Sequence, residues 1–229
     1  MNQLTIAIDG PASSGKSTVA KIIAKKLGLV YIDTGAMYRV IAYEAFANKI
    51  DINDAEKIHE LAKNTVITFK IENEQQSVYS NGKDVTDVIR HPEATNSVSQ
   101  VAAYADVRRE LVSQQRKMAE SNGVVMDGRD IGTVVLPHAD VKIFLVASVE
   151  ERAMRRFEEN KANGVDTPLD QLTKEIELRD YKDSTRESSP LKQAEDAYLV
   201  DTTQKDIPKV VEEIVRIIEN NTKNSIDRK

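Results

Sequence analysis

Near its start the chain carries Gly10-Pro11-Ala12-Ser13-Ser14-Gly15-Lys16-Ser17, a G-x-x-x-x-G-K-S spacing. Glycines at both ends let the backbone turn tightly enough for several N–H groups to face one concavity. A helix that follows adds the positive end of its dipole. Lysine supplies a point charge for β- and γ-phosphates, and the serine hydroxyl is a hard oxygen donor suited to Mg²⁺. The expected ligand of residues 10–17 is a nucleoside triphosphate with Mg²⁺, Ser17 being the candidate metal contact.

Guanidinium groups recur further along. Arg39 follows Asp33-Thr34-Gly35-Ala36-Met37-Tyr38, and Arg129 with Asp130 follows Val124-Val125-Met126. Arg152, Arg155 and Arg156 are spaced by three and four, on one face of a helix. Arg179 and Arg186 lie in the next helical stretch. Phosphoryl transfer consists largely of positioning and charge stabilisation, so arginines gathered on a triphosphate point to a kinase. Arg152, Arg155 and Arg156 have an alternative reading as a solvated helix paired with Glu150, Glu151, Glu158 and Glu159. The same loop also serves NTP-hydrolysing switches. Asn48-Lys49-Ile50-Asp51 spells a guanine-reading N-K-x-D, but it falls near the end of a predicted helix, one α/β unit after the loop. A guanine site belongs at the carboxyl end of a much later strand. No aspartate begins a D-x-x-G, so residues 48–51 read as a helix end and loop.

The elements that must hold these residues follow from periodicity. Thr5–Ile8, Leu29–Ile32, Val124–Met126, Val141–Val146 and Ala197–Val200 are short apolar runs of strand length. Helices are expected after the loop, where Val19, Ile22, Ile23 and Leu27 recur before Gly28, and over Ala36–Asn48. Another begins after Pro92, with Val107, Leu111 and Met118 on one face and a stop at Gly123. Ser148 and Glu151 form a capping box that opens the arginine helix. Ile207, Val210, Val211, Ile214, Ile217 and Ile218 stripe a final helix, with fraying expected after Asn220. Between Thr65 and Asp87 the pattern changes to strict alternation through Ile67, Phe69 and Ile71, with an Asn81-Gly82 turn, so an antiparallel insertion is expected there. Strands alternating with helices imply an α/β fold with a five-stranded parallel sheet covered on both faces.

Composition narrows the classes. The 229 residues are expected to form one large domain with insertions, long enough for a sizeable core. With 32 basic and 37 acidic residues the net charge is −5, which argues against general affinity for nucleic acid or anionic membrane. There is no cysteine, so disulfides, thiolate metal sites and cysteine nucleophiles are excluded. His59, His91 and His138 fit no zinc spacing and read as surface or packing residues. No apolar run reaches the roughly 18 residues that span a bilayer. The first residues, Met1 to Leu4, lack a signal-peptide pattern, and a cytoplasmic monomer is the expectation.

The segments IDGPASSGKST, DTGAMYR, SQVAAYADVR, VVMDGRDIGTVV, KIFLVASVEERAMRR, RDYKDSTR and SPLKQAEDA together make the chain resemble the bacterial cytidylate kinases. DGRDIGTVV and DTGAMYR are more diagnostic than the phosphate loop. The resemblance implies a phosphate-loop kinase that moves the γ-phosphoryl of ATP to CMP and dCMP with Mg²⁺, in the supply of nucleic-acid precursors. Its core would be residues 1–33 and 123–229, with a short helical lid around 150–186. Residues 34–122, with the insertion at 65–87, would bind the monophosphate. ATP would be held by Gly10, Pro11, Ala12, Ser13, Ser14, Gly15, Lys16, Ser17 and Thr18. Thr34, Arg39, Arg129 and Arg186 would hold the CMP phosphate. Ser99, Arg108 and Asp130 would read cytosine, and Arg179 and Asp183 would reach the ribose. Lys16, Arg129 and a mobile lid bearing Arg152, Arg155 and Arg156 would stabilise the transferred group. Asp130 can accept from the cytosine amino group and would oppose the uracil carbonyl. An unpaired buried polar group costs roughly 1–3 kcal/mol, or about one to two decades of CMP-over-UMP preference. Helix capping by Ser99 or Asp130, and a surface pairing of Asp183 with its Lys182 neighbourhood, are the alternatives for those residues. A kinase acting on UMP or AMP and an NTP-hydrolysing switch are the alternatives for the whole chain.

Overall fold

The computed structural model describes residues 4–72, 75–120, 123–162 and 164–226. In chain order the elements are β1 (Thr5–Asp9), α1 (Lys16–Leu27), β2 (Val30–Asp33), α2 (Thr34–Ala47) and α3 (Ala55–Lys63). They continue with β3 (Ile67–Glu72), β4 (Gln75–Ser80), β5 (Lys83–Asp84), α4 (Pro92–Val101), α5 (Ala105–Glu120) and β6 (Val124–Gly128). The last are β7 (Val141–Val146), α6 (Val149–Ala162), α7 (Leu169–Thr185), β8 (Tyr198–Asp201) and α8 (Ile207–Ile226). The chain divides into two compact units, residues 1–31 with 122–229 and residues 32–121.

In the first unit the sheet order is β2-β6-β1-β7-β8, with β1 parallel to β6 and β7, and β7 parallel to β8. Ile6 and Ile8 of β1, with Val125, Ile143 and Leu145, form one buried surface. Val19, Ala20 and Ile23 of α1 and Val210, Val211, Ile214 and Ile218 of α8 close over it. The parallel register brings the carboxyl ends of β1, β6 and β7 side by side, and loops that leave there form the usual ligand site of an open α/β sheet.

The second unit is mostly helical. Met37, Val40, Ile41 and Ala45 of α2 pack with Ile58 of α3, Ile67 of β3, Val98 of α4 and Leu111 of α5. Strands β3, β4 and β5 make the expected antiparallel insertion. Asn81 and Gly82 both take positive φ at its turn.

Several boundaries differ from the sequence reading. The helix after Pro92 is two helices, α4 and α5; α5 is described to Glu120, and the residues between it and the expected stop at Gly123 lie outside the described residues. Arg186 lies one residue past α7 in extended backbone. Hydroxyls of Ser184 and Thr185 donate back to Asp180 and Tyr181 carbonyls in the last turn, competing with its continuation. Helix α8 does not fray after Asn220 but continues to Ile226, with Asn221 and Thr222 bonded to the carbonyls of Ile217 and Ile218. Residues 48–51 are, as expected, a helix end and loop, Asn48 capping α2.

Candidate active site

The phosphate loop joins β1 to α1. Gly10 has φ +149°, and a Cβ there would stand 2.1 Å from the Leu145 carbonyl oxygen, so glycine is required on both counts. Ser13 and Gly15 take left-handed φ values of 58° and 91°. Lys16 is buried, with Nζ donating to Pro11 O at 2.5 Å and Ser14 Oγ at 3.3 Å. Burial, then the Arg129 and Arg179 guanidiniums, push its ammonium well below the ordinary lysine value against the pull of Asp127 and Asp9. A cation so destabilised is poised for an anionic ligand.

Two buried aspartates flank the loop. Asp127, in β6, accepts from Ser17 Oγ at 2.8 Å and Tyr31 Oη at 2.7 Å. Ser17 and Asp127 together offer a hydroxyl and a carboxylate, the hard oxygen donors Mg²⁺ takes beside phosphate oxygens, so the residues present fit that ion. Asp9 closes β1 and accepts from Ile131 N at 2.8 Å and Gly132 N at 2.7 Å, pinning the turn that follows Arg129 and Asp130. Its carboxyl is pushed up to about 7 by burial, which outweighs those two N–H groups; Asp130 adds to the rise and Lys16 opposes it.

Most of the predicted arginines in this unit gather. Arg129 Nε donates to Asp183 Oδ2 at 2.9 Å, and Arg186 Nη2 lies 3.9 Å from Asp130 Oδ1. Burial alone would raise the Asp183 carboxyl, yet Arg129, Arg179 and Arg186 hold it below the ordinary value. Asp183 is therefore a buried partner of these guanidiniums rather than a surface partner of Lys182. Asp130 precedes the turn Ile131–Val135 but its side chain makes no capping bond. The arginines of α6 part company. Arg152 is buried, with Nε on Ala147 O at 2.9 Å, Nη1 on Ala12 O at 3.2 Å and Nη2 on Asp180 Oδ2 at 2.6 Å. Arg155 reaches Ser14 O, Thr202 and Glu151. Arg156 is not brought to the loop; it pairs with Glu159 one turn on, in solvent, as the alternative reading had it.

The second unit holds its own set. Asp33 caps α2 by accepting from Ala36 N at 2.9 Å and pairs with Arg39 Nη2 at 2.8 Å. Burial would raise Asp33, but Arg39 and Arg90 hold it below the ordinary carboxylate value. Thr34, buried, begins the same helix. Arg108 is buried in α5, with Nη1 on Ala102 O at 3.2 Å and its guanidinium 5.4 Å from the Tyr38 ring centre. Ser99 is half-buried on α4.

The sequence pattern that defines the cytidylate kinases matches residues 6–220. A cytidylate kinase of Leuconostoc mesenteroides is 59% identical over 221 residues, covering 96% of this chain and 99% of that one. One of Enterococcus faecalis is 57% identical over 218 residues, covering 95% and 96%. The chain belongs to the cytidylate kinase family. It is thus a nucleoside monophosphate kinase. In fold, it is also similar to an uncharacterized protein of Eubacterium ventriosum, with a TM-score of 0.54 and 14% identity over 95% of this chain and 99% of that one. Among the described residues, no helix is long and apolar enough to cross a membrane.

Sequence reasoning gave no role to Asp127, Asp180 or Thr202, which contact the loop or its arginines, nor to Asp9 and Tyr31, which hold the turn after Asp130 and Asp127 itself. For Asp127 a signal was present: an ionisable residue closing a fully apolar run, Val124-Val125-Met126. Thr202 and Asp180 left none, since their partners are fixed only by the packing of β8 and α7.

Proposed function

We propose that the chain phosphorylates CMP, and dCMP, with ATP as donor. The observation that carries this is the buried Lys16 at the phosphate loop, set among Arg129, Arg179 and the carboxylates Asp127 and Asp9, in a chain of the cytidylate kinase family. Loop N–H groups and Lys16 bind the β- and γ-phosphates. Ser17 and Asp127 hold Mg²⁺, which when bound supplies positive charge to the phosphate oxygens. Thr34, Arg39, Arg129 and Arg186 bind the acceptor phosphate. Ser99, Arg108 and Asp130 read cytosine, and Arg179 and Asp183 take the ribose. The acceptor phosphate oxygen attacks in line, ADP leaves, and no protein nucleophile intervenes. Lys16 and Arg129 stabilise the equatorial charge, while Arg152 and Arg155 serve the transfer from α6 by supporting the loop, and Arg156, paired with Glu159, takes no part. Closing movement within residues 150–186 that leaves Arg152 and Asp180 on the loop excludes water and suppresses hydrolysis.

The test follows ATP turnover with each acceptor and identifies the products. Turnover that rises sharply with CMP and yields ADP and CDP is expected. Stimulation by UMP or AMP instead would reassign the acceptor. ATP hydrolysis indifferent to any monophosphate would establish a switch.

A further inference from the structure

The carbonyls of the phosphate loop are gripped from behind. Arg152 Nη1 donates to Ala12 O at 3.2 Å. Thr202 Oγ1 donates to Ser14 O at 3.2 Å, and Arg155 Nη1 lies 3.5 Å from the same oxygen. A trans peptide is planar and sets its C=O and N–H on opposite sides. Holding Ala12 O on one side therefore turns Ser13 N–H to the other, and holding Ser14 O does the same for Gly15 N–H. Those are inward-facing donors of the kind an anion cradle needs. Left-handed backbone at Ser13 and Gly15 flanks both peptides, and such a conformation at a non-glycine residue persists only where surroundings fix it.

The grips are held in turn. Asp180 Oδ2 takes Arg152 Nη2 at 2.6 Å, while Ala147 O takes Nε, so the guanidinium cannot swing away from Ala12 without breaking both. Thr202 Oγ1 lies 3.1 Å from Val146 O and 3.2 Å from Ser14 O, and because the Thr202 N–H already serves Val146 O at 2.8 Å, the one hydroxyl proton does more for Ser14 O. Thr202 also accepts from Arg155 through Oγ1 at 3.0 Å and through its carbonyl at 2.7 Å.

We propose that Asp180 and Thr202 are positioning residues for triphosphate binding: acting directly or through Arg152 and Arg155, they hold the loop carbonyls outward and so keep the Ser13 and Gly15 N–H groups turned to the phosphates. The proposal rests on the reading of the loop as a triphosphate site. Its test measures the binding of Mg·ADP and of CMP separately by calorimetry, beside the melting temperature without nucleotide. Thr202→Val keeps the shape and removes the hydroxyl. It is expected to weaken Mg·ADP binding about tenfold, the worth of one hydrogen bond of the stronger kind, and to leave CMP affinity unchanged. Thr202→Ser restores the hydroxyl and is expected to restore Mg·ADP binding. Asp180→Asn, which removes the charge that anchors Arg152, is expected to weaken Mg·ADP in the same direction and decides the matter should the valine variant fail to fold. Unchanged Mg·ADP affinity in the variants, equal loss for both nucleotides, or a serine variant no better than valine overturns the brace. Wild-type protein that binds no Mg·ADP overturns the loop reading itself.

Discussion

Asp9→Asn separates what a residue does for stability from what it does for the site. Asp9 is buried, and its carboxyl has been pushed from 3.8 to about 7, burial being the largest cause. The folded chain therefore binds this proton more tightly than the unfolded chain does. The stability so contributed is complete below pH 3.8 and is lost as pH rises through 7. At about 1.4 kcal/mol per pH unit, the interval between the two values is worth about 4 kcal/mol. Asparagine has the shape of the protonated acid and ionises in neither state. The variant is thus expected to be more stable than wild type by about 2 kcal/mol at pH 5 and about 4 kcal/mol at pH 8, the gap widening with pH. Function moves the other way. Ionised Asp9 accepts from both Ile131 N and Gly132 N, whereas an amide presents one oxygen, so the turn after Arg129 and Asp130 loosens and turnover falls. Urea unfolding of both proteins at pH 5, 6, 7 and 8, with CMP turnover at pH 8, measures this. A stability gap that stays constant or narrows as pH rises would refute the reasoning.

Three further outcomes are expected. Lys16→Ala should abolish transfer while leaving the chain folded, because its Nζ gives the fold only the bonds to Pro11 O and Ser14 Oγ whereas the proposed mechanism needs its charge; near-normal turnover would remove it from the mechanism. Asp130→Ala should erode the CMP-over-UMP ratio of kcat/KM by about one to two decades, and an unchanged ratio would remove Asp130 from base reading. Gly10→Ala should destabilise by about 3 kcal/mol or more, since its methyl would meet the Leu145 carbonyl at 2.1 Å; a urea midpoint equal to wild type would contradict that contact.

Much of the architecture was legible because local signals agree with the tertiary solution. The apolar runs at Thr5–Ile8, Val124–Met126 and Val141–Val146 are strands because both faces of a parallel sheet are buried. Alternation around Phe69 marks a strand of a second, half-exposed sheet. Where the reading failed, two local tendencies competed. Ala102–Tyr104 carries no proline or glycine, so nothing in the sequence marks the break between α4 and α5. Polar Asn221 and Thr222 promise fraying, yet α8 runs on to Ile226, because the apolar stripe through Ile214, Ile217 and Ile218 anchors the turn before them.

The site divides along the same line, with one further cause. Candidate ligand-binding groups such as Lys16 and Arg129 announce themselves because a charge beside a glycine-rich turn or at a strand end has few structural uses. The groups that aim them do not, because each acts on a partner far away in sequence. Asp127 meets Ser17 across 110 positions, Asp9 meets Ile131 across 122, and Arg152 meets Ala12 across 140. All three contacts exist only because a parallel sheet sets the carboxyl ends of β1, β6 and β7 together. Once that strand order is known the aspartates become predictable: a carboxylate at the end of a fully buried strand must find donors or lose its charge, and the donors within reach are the loop and the turn. Strand order, rather than motif, is therefore the information that converts a phosphate-loop signature into a list of the residues that shape it.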